Sequence, residues 1–243
     1  MIHSFHDFGK SWYIYMLYLI PTILAPETSE SVLSPQIKSI IKTTDYYFVE
    51  NVRTARRFIS ELKLGKVIDE LHFFEVDKDT NIEQIRKYFK QIPQNQNIGV
   101  ISEAGCPGVA DPGAVAVKVA HQLGIKVIPL VGPSSILLAL MASGFSGQSF
   151  VFHGYLPIDK IERAKKIKAL ENESRKQQTQ IFMETPFRND SFLEDLLNTC
   201  QPDTLLCIAC NITAPDELIQ TKTVNQWKSK TPDLHKKPTI FLM

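Results

Sequence analysis

Between Ile98 and Gly113 the chain reads Ile98-Gly99-Val100-Ile101-Ser102-Glu103-Ala104-Gly105-Cys106-Pro107-Gly108-Val109-Ala110-Asp111-Pro112-Gly113, and no other stretch constrains the fold as strongly. A short apolar run gives way to a loop rich in glycine and proline, and a helical pattern starts at once. A buried strand feeding a helix through such a loop is the building unit of open α/β sheets, whose ligands settle beyond the carboxyl ends of the strands. Gly105, Gly108 and Gly113 permit positive φ and close approach of backbone to a bound molecule, while Pro107 and Pro112 stiffen the loop. The same residues also suit an ordinary tight connection between strand and helix.

The rest of the first half alternates in the same way. Residues 15–20 read as a strand, followed by the loop Pro21-Thr22-Ile23-Leu24-Ala25-Pro26. Ser34-Pro35 opens a helix with an N-cap and a proline at the first helical position. A strand is predicted at 46–50, a helix carrying Arg53, Arg56 and Arg57 at 51–64, a short strand at 73–76 and a helix at 81–90. After the central loop come a helix at 114–123, ended by Gly124, and a strand at 126–130. A second bend, Val131-Gly132-Pro133-Ser134-Ser135, leads into an apolar helix at 136–143 that should be buried all round. Such alternation predicts an α/β fold with a mostly parallel sheet.

The second half reads differently. It opens at 149–156, continues with a charged helix at 161–173, and places strands at 180–183 and 205–209 around a helix at 190–200. A polar turn at 233–238 precedes a last strand at 239–243. The expected domains are therefore 15–131 and 132–243, preceded by a flexible N-terminal extension, 1–14.

With 27 basic and 26 acidic residues in 243, the net charge of +1 advertises neither nucleic acid nor membrane, although a local basic face would suffice for RNA. The apolar stretch 12–24 is too short to span a bilayer. Cys106, Cys200, Cys207 and Cys210 do not make a disulfide framework in a chain this long, so a cytoplasmic protein is expected. Cys207 and Cys210 lie in an apolar run that reads as a core strand, and without a second ligand pair no metal site is expected. No P-loop, G-x-G-x-x-G or G-x-S-x-G is present.

The remaining bends carry a resemblance. Residues 101–113 look like the S-D-A-G-T-P-x-x-x-D-P-G segment of the tetrapyrrole-methylase-like S-adenosylmethionine methyltransferases, nearest to the branch that methylates a cytidine ribose 2′-hydroxyl in small-subunit ribosomal RNA. Val127-Ile128-Pro129-Leu130-Val131-Gly132-Pro133-Ser134-Ser135 resembles V-V-P-L-P-G-P-[CS]-[AS], and residues 150–157 resemble F-x-[FY]-x-G-[FY]-L-P. Glu50-Asn51-Val52-Arg53 is similar to E-D-T-R, and Phe182-Met183-Glu184-Thr185-Pro186-Phe187-Arg188 to F-Y-E-[SA]-P-x-R. The likeness covers residues 17–243 in order.

That resemblance implies two α/β domains with S-adenosylmethionine in the cleft between them, usually in a homodimer. It implies cofactor contacts from Ala104, Gly105, Cys106 and Val109, from Ser134 and Ser135, from Glu184 or Met183, and from backbone near Asn211 and Pro238, Thr239 and Ile240. Three segments depart from the family. The first loop lacks the glycine of T-P-I-G-N-L, E-D-T-R has become E-N-V-R, and R-E-L-T-K is replaced by Cys210-Asn211-Ile212-Thr213-Ala214.

Methyl transfer is an in-line displacement for which alignment alone supplies on the order of 7–11 kcal/mol. A ribose hydroxyl must also lose its proton, and Glu50, Glu103 and Asp111 are the candidate bases; Glu103 and Asp111 equally suit loop capping. Arg53 and Arg57 share a helix face that could meet RNA phosphate, as could Lys160, Arg163, Lys165, Lys166 and Lys168; a solvated face explains both runs as well. The expected function is methylation of ribosomal RNA ribose, with the small ribosomal subunit as partner. The alternatives are a small-molecule acceptor such as a tetrapyrrole, or a catalytically silent homologue that binds RNA or the ribosome.

Overall fold

The computed structural model describes residues 16–243; the extension expected at 1–14 lies outside them. The first half forms β1 (Met16–Ile20), α1 (Ser29–Val32), α2 (Pro35–Lys42), β2 (Tyr46–Val49), α3 (Val52–Glu61), β3 (His72–Glu75), α4 (Ile82–Gln91), β4 (Ile98–Ile101), α5 (Gly113–Gln122) and β5 (Lys126–Pro129). There follow α6 (Ser135–Ser143), β6 (Phe150–Tyr155), α7 (Lys160–Ser174), β7 (Thr179–Met183), α8 (Asn189–Thr199), β8 (Leu205–Cys210), β9 (Leu218–Thr223), α9 (Val224–Ser229) and β10 (Thr239–Leu242). Two compact units result: Ser34–Val131 with β1 and Pro21, and Gly132–Met243 with Thr22–Leu33.

The first unit is built on a sheet of order β3-β2-β4-β1-β5, in which every pairing is parallel. Its strands are apolar runs because helices cover the sheet, as parallel sheets require. Leu17, Phe48, Ile98 and Val100 meet Ile85 and Phe89 of α4 and Ala116, Val119 and Ala120 of α5. Gly99 is needed inside this core, since a Cβ there would stand 2.7 Å from the Tyr47 ring and 2.8 Å from Ile20. The two glycine-proline bends follow β4 and β5, which are consecutive in the chain; β1 lies between those strands in the sheet.

The second unit holds a mixed sheet, β6-β7-β10-β8-β9. The last strand, β10, is inserted at its centre, antiparallel to both β7 and β8. On one side Phe182, Phe241 and Ile208 pack against Phe192, Leu193 and Leu196 of α8 and Trp227 of α9. On the other, Ala139 and Leu140 of α6 meet Ile181, Ala209 and Ile240.

Several sequence expectations need correction. The apolar helix α6 is not buried all round: Leu137 is 51% and Met141 79% exposed, because only one of its faces reaches the sheet. Arg163 is not available to RNA, being buried on α7 with Nε 2.8 Å from Asp195 Oδ2 and its guanidinium also donating to the Ile158 carbonyl. The strand expected through residue 50 ends at Val49, and β9 and α9 had no counterpart in the sequence reading. Cys207 and Cys210 are buried in β8 as expected. Among the described residues no group of side chains suits a metal ion, and no helix is long and apolar enough to cross a membrane.

Candidate functional site

In the first unit, strand register assembles the acidic residues. Val49 of β2 lies opposite Ile101 of β4, so the chain leaves both strands at the same sheet edge and Glu50 comes beside Ser102 and Glu103. The Glu50 carboxylate accepts the backbone N–H of Glu103, yet burial, and then the charges of Asp111 and Glu103, push its pKa above the ordinary carboxylate range. Asn51, immediately after it, caps α3 by accepting the Thr54 N–H at 3.1 Å. The exchange of aspartate for asparagine in E-N-V-R therefore keeps the capping function, since both residue types serve at that position. Arg53 is exposed on the first turn of α3, whereas Arg57 faces Glu61 at 3.8 Å and Arg56 pairs with Asp69.

The loop after β4 is tied by Asp111. Both of its carboxylate oxygens accept the Gly108 N–H at 2.9 Å, and Oδ1 accepts the Gly113 N–H at 2.7 Å. A Cβ on Gly113 would stand 2.8 Å from that same oxygen, so α5 has to begin on glycine. Gly105, Gly108 and also Ala110 take positive φ, at 70°, 83° and 62°. Burial outweighs the backbone donors of Gly108, Gly113 and Val109 and raises the Asp111 pKa. Burial, with the Asp111 charge, does the same to the Cys106 thiol. Glu103, Ala104 and Val109 are exposed along this loop.

In the second unit, Ser134 is the N-cap of α6 and its hydroxyl accepts the Leu137 N–H, with Ser135 opening the helix. The other expected contact residues gather at one edge of the mixed sheet. Ile240 pairs with Met183 and Thr239 with Cys210, which brings the ends of β7 and β8 to the start of β10. Asn211 N–H bonds the Pro238 carbonyl at 2.9 Å. Glu184, 1% exposed at its side chain, accepts Thr185 N–H and Arg188 Nη2 on Oε1, each at 2.6 Å. Its other oxygen, Oε2, is buried with no partner.

Two further residues at this edge escaped the sequence reading. Asn189 gives its Nδ2 to the Lys237 carbonyl at 2.6 Å while its Oδ1 stays buried and unpartnered. Thr213 holds φ at 74°, unusual for a β-branched residue, and buries an unpartnered hydroxyl. No local pattern marks either of them. A cavity of about 600 Å³ lined by Ser146, Arg175, Thr179 and Leu205 contains none of the expected residues, since it opens where β7 and β8 begin and Met183 and Cys210 end them.

No family model matches the chain. Curated relatives named Ribosomal RNA small subunit methyltransferase I align with most of it. The protein of Buchnera aphidicola subsp. Acyrthosiphon pisum is 26% identical over 237 residues, 96% of this chain and 80% of the relative. That of Vibrio cholerae is 29% identical, covering 84% of this chain and 67% of the relative. The Bacillus subtilis relative is 32% identical over 71% of this chain and 56% of its own length. Among solved structures, the methyltransferase CobJ superposes with a TM-score of 0.62 at 17% identity, over 94% of this chain and 93% of that one. Diphthine synthase superposes with a TM-score of 0.65 at 12% identity, over 94% and 89%.

Proposed function

We propose that this chain, a member of the tetrapyrrole-methylase-like S-adenosylmethionine-dependent methyltransferases, transfers methyl to a ribose 2′-hydroxyl of small-subunit ribosomal RNA. The observation that carries the reading is likeness along nearly the whole chain to proteins named Ribosomal RNA small subunit methyltransferase I, 96% of it in one alignment. The likeness to CobJ and diphthine synthase, at 17% and 12% identity, establishes the fold and favours no acceptor.

The residues present suit the methyl donor. A buried carboxylate oxygen without a partner costs free energy unless a donor reaches it, and Glu184 Oε2 is such an atom; a hydroxyl of the cofactor would supply that donor. In the loop after β4, Gly105 is buried and Gly108 half-buried, so the latter turn presents backbone; in the second unit, taken by itself, Asn211 and Pro238 present main chain while Thr239 and Ile240 are buried. The bound cofactor provides an activated sulfonium methyl. What the protein then adds is alignment, exclusion of water and a proton acceptor.

Glu50 is the base in this reading. Its raised pKa brings it closer to the operating pH, where proton transfer from a hydroxyl is better driven. Burial, and then the charges of Asp111 and Glu103, keep it raised, and Asp111 also fixes the loop on which Ala104, Cys106 and Val109 sit. Arg53 and Arg57 supply cations for RNA phosphate. The protein acts in the cytoplasm, consistent with cysteines that form no disulfide among the described residues, and as a homodimer, in which the exposed Leu137 and Met141 of α6 offer apolar area for a second copy.

Calorimetry with S-adenosylhomocysteine tests the donor, and labelled methyl transfer to small subunits with a tetrapyrrole in parallel tests the acceptor. Micromolar binding with label in the subunits is expected. No binding removes the enzymatic reading; label in the tetrapyrrole alone, or tight binding with no transfer, overturns the RNA acceptor.

A further inference from the structure

The chain leaves β7 through a single 3-10 turn, Pro186–Arg188, and the Phe187 ring projects from it 71% exposed. A second turn packs alongside. Lys236, at φ 59°, donates its N–H to the Pro186 carbonyl at 2.9 Å. That bond sets Lys236 Nζ 5.7 Å from the Phe187 ring centroid and His235 edge-on at 6.5 Å. The support is rigid on both sides: Arg188 is tied to Glu184, Asn189 to the Lys237 carbonyl, and Leu234 N–H to Asp190 Oδ1 at 2.9 Å. Among the described residues Phe187 belongs to neither of the two buried clusters that flank this sheet, so packing there gives no reason for an aromatic.

Its surroundings select among occupants. An apolar protein segment needs a wide apolar patch, but the ring's neighbours are His235 and Lys236, with Arg188 next to it in the same turn. A nucleobase needs one aromatic face and tolerates a polar rim, because every base has a π-face to stack. Lys237 is spoken for by Asp233 at 3.4 Å, whereas Lys236 makes no ion pair among the described residues. A cation that pairs with no carboxylate among the described residues and lies over one face of an exposed ring leaves the other face for a base and itself for the adjoining phosphate.

We infer that Phe187 is a stacking platform for an unpaired base of the RNA acceptor, with Lys236 meeting the adjoining phosphate. The inference rests on the RNA reading above and adds to it a contact on the second unit, at the same sheet edge as Glu184.

The test measures binding of the full chain to a fluorescent single-stranded RNA about twelve nucleotides long, to the same strand in a duplex, and to S-adenosylhomocysteine. F187A and F187L should weaken single-strand binding about 5- to 100-fold, and F187W should restore it. Duplex and S-adenosylhomocysteine affinities should not move. K236A should flatten the single-strand salt dependence by about 0.7 in log–log slope, a change F187A should not produce. Single-strand affinity of F187A within about twofold of wild type overturns the inference. So does equal weakening of the duplex, or a loss confined to S-adenosylhomocysteine, which would give the ring to the cofactor's adenine. If wild type binds S-adenosylhomocysteine but no RNA, the RNA reading falls and takes this inference with it. If wild type methylates small subunits and F187A binds RNA normally, only the inference falls.

Discussion

Arg188 holds Glu184 by one carboxylate oxygen, Oε1, at 2.6 Å, and leaves Oε2 buried with nothing to accept from. An ion pair formed only to steady a chain reversal would have no use for a second, buried oxygen. In the proposed reading, a donor on the bound cofactor would give that oxygen its use. E184A should therefore weaken S-adenosylhomocysteine by roughly 10- to 100-fold, the worth of one hydrogen bond to a charged group. Calorimetry reads this directly, and an unchanged affinity would remove Glu184 from the site.

Glu50 makes a prediction about pH. Its pKa is raised in the folded protein, so the rate of transfer should climb with pH through a carboxylate ionisation displaced above the usual range. E50Q should abolish that acidic limb and lower the rate about 10²- to 10⁴-fold. Stability runs the other way. A carboxylate with a raised folded pKa favours the native state below its unfolded pKa, and the benefit is lost as pH rises through the folded value. E50Q should accordingly melt higher than wild type at neutral pH, with the difference closing on acidification below the ordinary carboxylate range. Thermal unfolding across pH checks the sign.

Asp111 is expected to act through the loop. D111A strands the Gly108 and Gly113 N–H groups, each costing about 1–3 kcal/mol where water does not replace the lost acceptor. A lower melting temperature and weaker S-adenosylhomocysteine should appear together. D111N, which retains one acceptor oxygen, should fall between D111A and wild type on both.

Arg163 offers a purely structural prediction. Its side chain is 7% exposed and shares two donors with Asp195. D195A should cost about 3 kcal/mol, because it leaves a buried guanidinium without its carboxylate. K165A and K168A, on exposed positions of the same helix, should leave stability nearly unchanged. Urea unfolding separates the two behaviours.

Where the sequence was legible, a local rule decided the outcome. The parallel sheet followed from apolar runs broken by glycine-proline bends, and α2 begins at Pro35 after Ser34 as expected, although the Ser34 hydroxyl makes no capping bond. Strand β9 was missed because it edges its sheet, and Leu218-Ile219-Gln220-Thr221-Lys222-Thr223 lacks the clean apolar signature of a central strand. Helix α9 could have been found, since Thr223 and Gln226 form a capping box at the spacing that marks helix starts. Exposure of Leu137 and Met141 was beyond reach, because an all-apolar helix does not say which face meets the sheet. The isolation of Asn189 and Thr213 was equally invisible, since an unpartnered atom is a property of everything folded around it.

The most direct test uses small ribosomal subunits from a strain lacking the gene, incubated with the full chain and methyl-labelled S-adenosylmethionine. The RNA is then digested and the labelled nucleoside identified by mass spectrometry. Ribose methylation by Glu50 as base predicts label on the ribose of a single nucleotide, lost with E50Q. Label on a base or on ribosomal protein, or none at all from a chain that binds the cofactor, would contradict it.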